Sequence, residues 1–120
     1  MATVQYTMDV VTNQQYPTGV KVVKWILAAS DDGVPYYAPQ YSGKAVQGVS
    51  GTGVVTWQGT LVPEGTSPVW ATLHDPASAD CVTTSPEIRQ ILEDCYAVRP
   101  LVDATGAATV YLFVTSTARR

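Results

Sequence analysis

Between residues 53 and 62 the chain alternates with a period of two. Val55, Trp57, Gly59 and Leu61 point one way, and Val54, Thr56, Gln58, Thr60 and Val62 the other. Alternation of that length predicts a half-buried β-strand. The turn formers Pro63, Gly65, Ser67 and Pro68 follow, after which Val69, Ala71 and Leu73 alternate with Trp70 and Thr72; the two runs predict an antiparallel hairpin. A second hairpin is predicted from residues 96–102, through the turn Asp103-Ala104-Thr105-Gly106, into residues 107–115. In its last strand Val110, Leu112 and Val114 share one face and Tyr111 and Phe113 the other, so both faces call for cover. Pro100 has no amide hydrogen to give a ladder, which predicts a sheet edge or a bulge at that point.

Upstream, residues 20–27 read as a strand between Gly19 and the turn signal Asp31-Asp32-Gly33. Residues 3–11 form a candidate N-terminal strand, and residues 44–49 a short one leading through Ser50-Gly51-Thr52 into the first hairpin. One helix is expected over residues 85–94: Ser85 is an acceptable N-cap, Pro86 suits the first helical position, and Ile88, Ile91 and Leu92 lie at i, i+3 and i+4. Short strands separated by turns, with one brief helix, predict a single all-β domain over residues 1–120, an antiparallel β-sandwich of jelly-roll or Ig-like kind. Residues 1–19 are expected as an N-terminal arm or added strand. Residues 31–53, the least periodic stretch, are expected as a long excursion over the surface.

Composition narrows the function classes. Of 120 residues, 46% are apolar and only 14% charged, enough to build a core but few charges for an ordinary surface, so part of that surface is expected to meet another chain. The net charge is −3, and the seven basic residues are scattered apart from Arg119 and Arg120, which argues against nucleic acid as a direct ligand. No apolar run reaches the roughly 20 residues of a membrane span, and the N-terminal residues carry no signal-peptide pattern, so a cytosolic site of synthesis is expected. Cys81 and Cys95 leave three readings open: free thiols, a disulfide closing a loop of about 15 residues and worth roughly 3 kcal/mol, or metal ligands.

Catalytic chemistry is hard to assemble from this inventory, and the expectation is a protein that is not an enzyme. His74 is the only histidine, and it sits where a strand enters a turn, so any nucleophile–histidine arrangement depends on it alone. One histidine and two distant cysteines lack zinc-ligand spacing. Asp31-Asp32-Gly33 opens like a calcium loop, but Tyr36, Tyr37 and Pro39 occupy the later ligand positions. Gly51 and Gly53 precede a strand rather than a helix, which removes the phosphate-binding geometry. Glu87, Glu93 and Asp94 suggest an acid–base pair only if a second carboxylate faces them, and a solvated face is favoured. No cofactor or metal is expected. Trp25 and Trp57, inside strands, are expected in the core. Tyr36, Tyr37 and Tyr41, together with Trp70 and with Trp25 and Trp57, for which core packing is favoured, form the one constellation with a functional alternative: exposed aromatics that anchor a protein interface or stack on sugars.

Taken in order, several segments carry a resemblance. They are Gly51-Thr52-Gly53-Val54-Val55-Thr56-Trp57-Gln58-Gly59, Trp70-Ala71-Thr72-Leu73-His74-Asp75-Pro76, Glu87-Ile88-Arg89-Gln90-Ile91-Leu92 and Tyr96-Ala97-Val98-Arg99-Pro100. Together they resemble small β-sandwich structural proteins, capsid-decoration and other virion components, of tailed bacteriophages. The match spans roughly residues 44–116, and the hairpin tip from Val62 to Pro68 departs from the pattern. The resemblance implies a virion protein, made in the host cytoplasm, that stabilises a particle by contacts with the major capsid protein or other virion proteins. It also implies a homo-oligomer, dimer or trimer. The alternatives are a neck or tail component and a lectin-like carbohydrate-binding module.

Overall fold

The computed structural model describes residues 2–11, 20–37, 41–62, 67–93 and 95–116. Twelve strands run in chain order: β1 Thr3–Val4, β2 Thr7–Val11, β3 Val20–Leu27, β4 Asp32–Gly33, β5 Tyr36–Tyr37, β6 Tyr41–Gly51, β7 Val55–Thr60, β8 Ala71–Thr72, β9 Val82–Thr83, β10 Ile88–Gln90, β11 Ala97–Val102 and β12 Ala108–Ser116. They form two sheets. One has the order β10-β6-β12-β3-β2; the other runs β1-β4-β11-β7-β8, with β5 also on β11 and β9 on β7. The chain is therefore a two-sheet all-β sandwich, as its alternation predicts.

The period-two pattern is what fastens the sheets together. Val23, Trp25 and Leu27 of β3, Val110, Leu112 and Val114 of β12, and Val46 of β6 turn inward from the five-stranded sheet. Val55 and Trp57 of β7 and Val98 and Val102 of β11 meet them from the other. At the centre the rings of Trp25 and Trp57 pack edge to face, 5.8 Å apart. Both are fully buried, and both indole N–H groups are satisfied: Trp25 Nε1 donates to the Val34 carbonyl at 3.1 Å and Trp57 Nε1 to Thr83 Oγ1 at 3.0 Å. Tyr6 extends the cluster, edge-on to both Trp25 and Tyr36.

Three expectations change. The stretch 85–94 is not a helix. Ile88–Gln90 pairs with Gln47, Val46 and Ala45 at the edge of the five-stranded sheet, and only Ile91 of the three spaced apolar residues is buried. An open edge beside β6 offers Ile88–Gln90 a ladder, and tertiary pairing overrides the weak helical periodicity. Asp94 lies outside the described residues.

The stretch 31–53 is not a surface excursion either. It holds β4, β5 and the eleven-residue β6, which lies between β10 and β12. Gly43, Gly48 and Gly51 mimic loop composition in the sequence, yet Lys44, Val46 and Gly48 turn inward in strand alternation. Gly51 is needed for its backbone: its φ of 100° lies in the left-handed region, and a Cβ there would collide with the Ala107 carbonyl.

The closing segments β11 and β12 do not form a hairpin. They lie in different sheets, and the Asp103–Gly106 turn carries the chain across the sandwich. Asp103 secures that crossing by accepting hydrogen bonds from the amides of Val54 and Thr105. Of the two forms expected for the N-terminal segment, residues 2–11 take that of added strands: β1 pairs in parallel with β4, and β2 forms an edge on β3. Asp31, buried at the corner, accepts from the Ala2 and Ala28 amides and ties that segment down. Residues 12–19 lie outside the described residues.

The first hairpin does form, with Gln58 opposite Thr72 and Gly59 opposite Ala71. Pro100 stands opposite Trp57 on one side. On the other side it falls between the β5 pairing at Ala97 and Val98 and the β4 pairing at Leu101, where no partner among the described residues asks for an amide.

Thr83 is buried with no exposure and has the Trp57 indole as its partner. Thr83→Val keeps the shape but leaves that N–H unpaired, which costs about 1–3 kcal/mol. Urea denaturation of the variant is expected to show a loss of that size, and an unchanged midpoint contradicts this account of the core.

Candidate interaction surface

Side chains that the core does not take up lie on the outer face of the five-stranded sheet. Register places Val22 beside Phe113 and Phe113 beside Ala45, then Lys24 beside Tyr111 and Tyr111 beside Gln47. Ile88 stands opposite Gln47 on β10. A β-bulge between Thr109 and Val110 leaves Val49 as the extra residue on β6. These side chains surround a shallow hollow of about 440 Å³ lined mainly by Val22, Ala45, Val49, Ile88, Tyr111 and Phe113. Ile88 and Ile26 on this face are 67% and 63% exposed. The cause is in the sequence: β3 and β12 carry apolar residues at both parities, and one sandwich core covers only one parity.

The aromatic residues singled out from the sequence lie elsewhere. Tyr36 is a correction: it is 6% exposed, packed edge-on to Tyr6 at 5.3 Å, with its hydroxyl on the Met8 sulfur at 3.4 Å. Burial within its own chain leaves it little surface for a partner. Tyr37 is half-buried and packs edge-on to Tyr96 at 5.5 Å. Tyr41 opens β6, with its side chain outside the described residues. Trp70 lies beneath the Arg99 guanidinium, 4.3 Å from the ring centre. Arg99 is fixed there by Gln58 Oε1, at 3.0 and 2.8 Å, and by Asp32 at 3.7 Å.

A second concavity, of about 470 Å³, lies beside β8. Its walls include Leu61, Val69, Ala71 and Leu73, and it ends at His74, Glu93 and Cys95. The Glu93 carboxylate accepts from the His74 amide at 2.8 Å and contacts His74 Nδ1 at 2.5 Å, while Nε2 faces Asp80 at 3.6 Å. Both ring nitrogens thus meet carboxylates. The hydrogen bond to Glu93, more than the nearby charges of Asp80 and Asp75, raises the His74 pKa. Burial pushes the Glu93 carboxyl up, but the His74 amide and ring outweigh it and its pKa falls below the ordinary value. With the Leu92 amide on the His74 carbonyl at 2.8 Å, the arrangement stitches residues 91–93 to the 74–80 turn.

The remaining polar candidates are turn fasteners. Glu87 accepts from the Thr84 amide and hydroxyl at 3.1 Å. Asp75 accepts from the amides of Ala77 and Ala79 and from Arg89 Nη1 at 3.0 Å. Glu87 and Glu93 therefore serve different turns. No disulfide joins Cys81 and Cys95; burial pushes the Cys81 thiol up to about 11. Among the described residues no group of three His, Cys, Asp or Glu side chains is suited to a metal ion.

The outer-face residues could have been found from the sequence, because strands apolar on both faces already require cover on both. The Glu93–His74 partnership had no such signal, since nineteen residues separate the pair and the local pattern read as a helix.

No family model and no curated protein matches the chain. Solved structures do. The SPBc2 prophage-derived protein YomS is similar with a TM-score of 0.54 at 17% identity, covering 90% of this chain and 100% of that one. Peruvianin-I, a cysteine peptidase from Thevetia peruviana latex, is similar with a TM-score of 0.50 at 15% identity; the match covers 92% of this chain, which spans 61% of the peptidase chain. A cupin domain from Bordetella pertussis Tohama I gives a TM-score of 0.47 at 11% identity, covering 98% and 99%. At such identities the likeness to the first two is one of β-sandwich fold.

The His74–Glu93 pair sets a pH dependence. His74 is raised above 6.5, so its contribution is complete below 6.5 and is lost as pH rises through the raised value. Glu93 is lowered below 4.5, so its contribution is present above 4.5 and is lost as pH falls through the lowered value. Melting temperature is expected to be highest between these values and to fall on the alkaline side. The effect is small, because the exposed pair is screened by solvent. His74→Gln is expected to remove the alkaline fall; a variant with the wild-type profile contradicts the assignment.

Proposed function

We propose that this chain is a non-catalytic structural protein of a bacteriophage particle, most simply a capsid-decoration protein, that works through protein–protein contacts. The observation that carries the proposal is the apolar outer face of the five-stranded sheet, where Ile26, Val49, Ile88 and Phe113 are exposed beside the half-buried Val22. Apolar patches of this kind on a small domain mark contact surfaces. The ordered resemblance over residues 44–116 supports the phage reading, and a prophage-derived protein has a similar fold. Within the sandwich class we favour the jelly-roll form, because the chain changes sheets repeatedly, as at β5–β6, β6–β7 and β11–β12.

The lectin-like alternative has less support. Trp25, Trp57 and Tyr36 are taken into the core and Trp70 is covered by Arg99, so the described aromatics do not form a coplanar exposed platform. An enzymatic role has little support from His74, whose two ring nitrogens both face carboxylates. Attachment to repeated sites would let weak contacts act together on a shell. The test is to purify particles produced from the genome that encodes this chain and to identify their proteins by mass spectrometry. The proposal expects the chain in many copies per particle, and heat- or chelator-sensitive particles when its gene is deleted. Particles that lack it, with unchanged stability on deletion, overturn the proposal.

A further inference from the structure

We infer that the outer face of the five-stranded sheet is a two-fold contact with a second copy of this chain, so that the protein is a dimer built by stacking these sheets face to face. The inference rests on the same face as the proposed function and deepens it: the contact the face makes is with a second copy, the dimer is the unit that attaches to a particle by its remaining surface, and dimerisation in solution and presence in particles are measured separately.

Three observations identify the occupant as another copy. The first is charge. Among the described outward positions of β2, β3, β12, β6 and β10 the formal charges are Asp9 on β2 and Lys24 on β3. They are opposite in sign and on neighbouring strands, and Lys24 already leans over the Tyr111 ring at 5.7 Å. A second copy therefore brings no excess of like charge to the contact, and it presents an anion and a cation where the first presents the same two. A face for a charged partner would carry one sign.

The second is area. Five strands at about 4.8 Å spacing are about 24 Å wide, and the paired lengths of β3, β12 and β6 average about 25 Å. Because β2 has five residues and β10 three, the face covers about 500 Å² per copy and about 1,000 Å² in all, the size of a weak but specific interface. Stacked sheets are also a standard packing geometry, about 10 Å apart.

The third is shape. The hollow bounded by Val22, Ala45, Tyr111 and Phe113 has the exposed Ile88 of β10 in its wall, and Ile26 of β3 is exposed on the same face. An isologous contact sets each element of one copy against an element of the other. A face that carries both a hollow and projections has what such a contact needs, a recess and something to fill it.

The test is sedimentation equilibrium of the full chain over a concentration series from about 1 to 200 μM, with light scattering to give the mass. Wild type is expected to be a dimer with a fitted dissociation constant within that range or below it. Ile88→Lys changes a highly exposed residue at the face and is expected to weaken dimerisation at least tenfold. Phe113→Lys is expected to do the same, with circular dichroism and the melting transition showing that each variant is folded. Leu61→Lys, an equally drastic change at an exposed site on the other concavity, is expected to leave the dimer intact. A wild-type chain that is monomeric at 200 μM overturns the inference, including the case in which the face binds a different protein. So does a dimer that survives Ile88→Lys, or one that Leu61→Lys disrupts in its place. Trimers or higher species in the mass fit overturn the two-fold form of the contact.

Discussion

Everything else in the sandwich is arranged around the edge-to-face contact of Trp25 and Trp57. Each ring comes from a different sheet, so the pair fixes both the spacing of the sheets and their relative position. An aromatic pair of this geometry contributes about 0.5–1.5 kcal/mol beyond its burial, and a buried indole N–H without a partner would cancel that gain. The neighbours are placed accordingly. Val34, just beyond β4, supplies a carbonyl to Trp25, and Thr83, on β9, supplies a hydroxyl to Trp57. Gly33 has to be glycine for the same reason: a Cβ there would overlap the Trp25 ring on one side and Pro100 on the other.

Filling the core in this way has a consequence outside it. A strand sends alternate residues to opposite faces, so β3 and β12 can give the core only half of their apolar residues. Val22, Ile26, Tyr111 and Phe113 are the other half, and within the single chain they face outward. Polar side chains at these positions would make a better-behaved monomer. The apolar ones supply contact area, and they do so on a rigid sheet that loses little entropy on binding. Polar groups elsewhere are largely committed to local work: Asp31 to the N-terminal corner, Asp75 to its turn and Arg89, Glu93 to His74.

The two-sheet β architecture was legible where alternation was strong, at β3, β7 and β12, and so was the burial of Trp25 and Trp57. The misreadings have physical causes. Glycines in β6 hide a strand because they are tolerated where β6 crowds its neighbours, as at Gly48 against Thr84. Ile88, Ile91 and Leu92 follow a helical spacing, but the open edge of β6 decides their conformation. Two strands joined by a tight turn look like a hairpin in sequence; only the packing of both sheets shows that Asp103–Gly106 is a crossing. The candidate surface is half legible: β12 is apolar on both faces and needs cover on both, but the aromatic residues that stand out in the sequence, Tyr36, Tyr37 and Tyr41, are not those that line it.

The central claim is that the outward face of the five-stranded sheet is where this protein meets other protein. Phe113 is the only phenylalanine in the chain and lies on that face. Uniform incorporation of fluorophenylalanine therefore gives a single fluorine resonance there, and its shift between H₂O and D₂O reports contact with water. The account predicts a large solvent shift in dilute protein that shrinks as the chain self-associates or joins its particle. A solvent shift that stays the same in the dilute, concentrated and particle-bound states would contradict it.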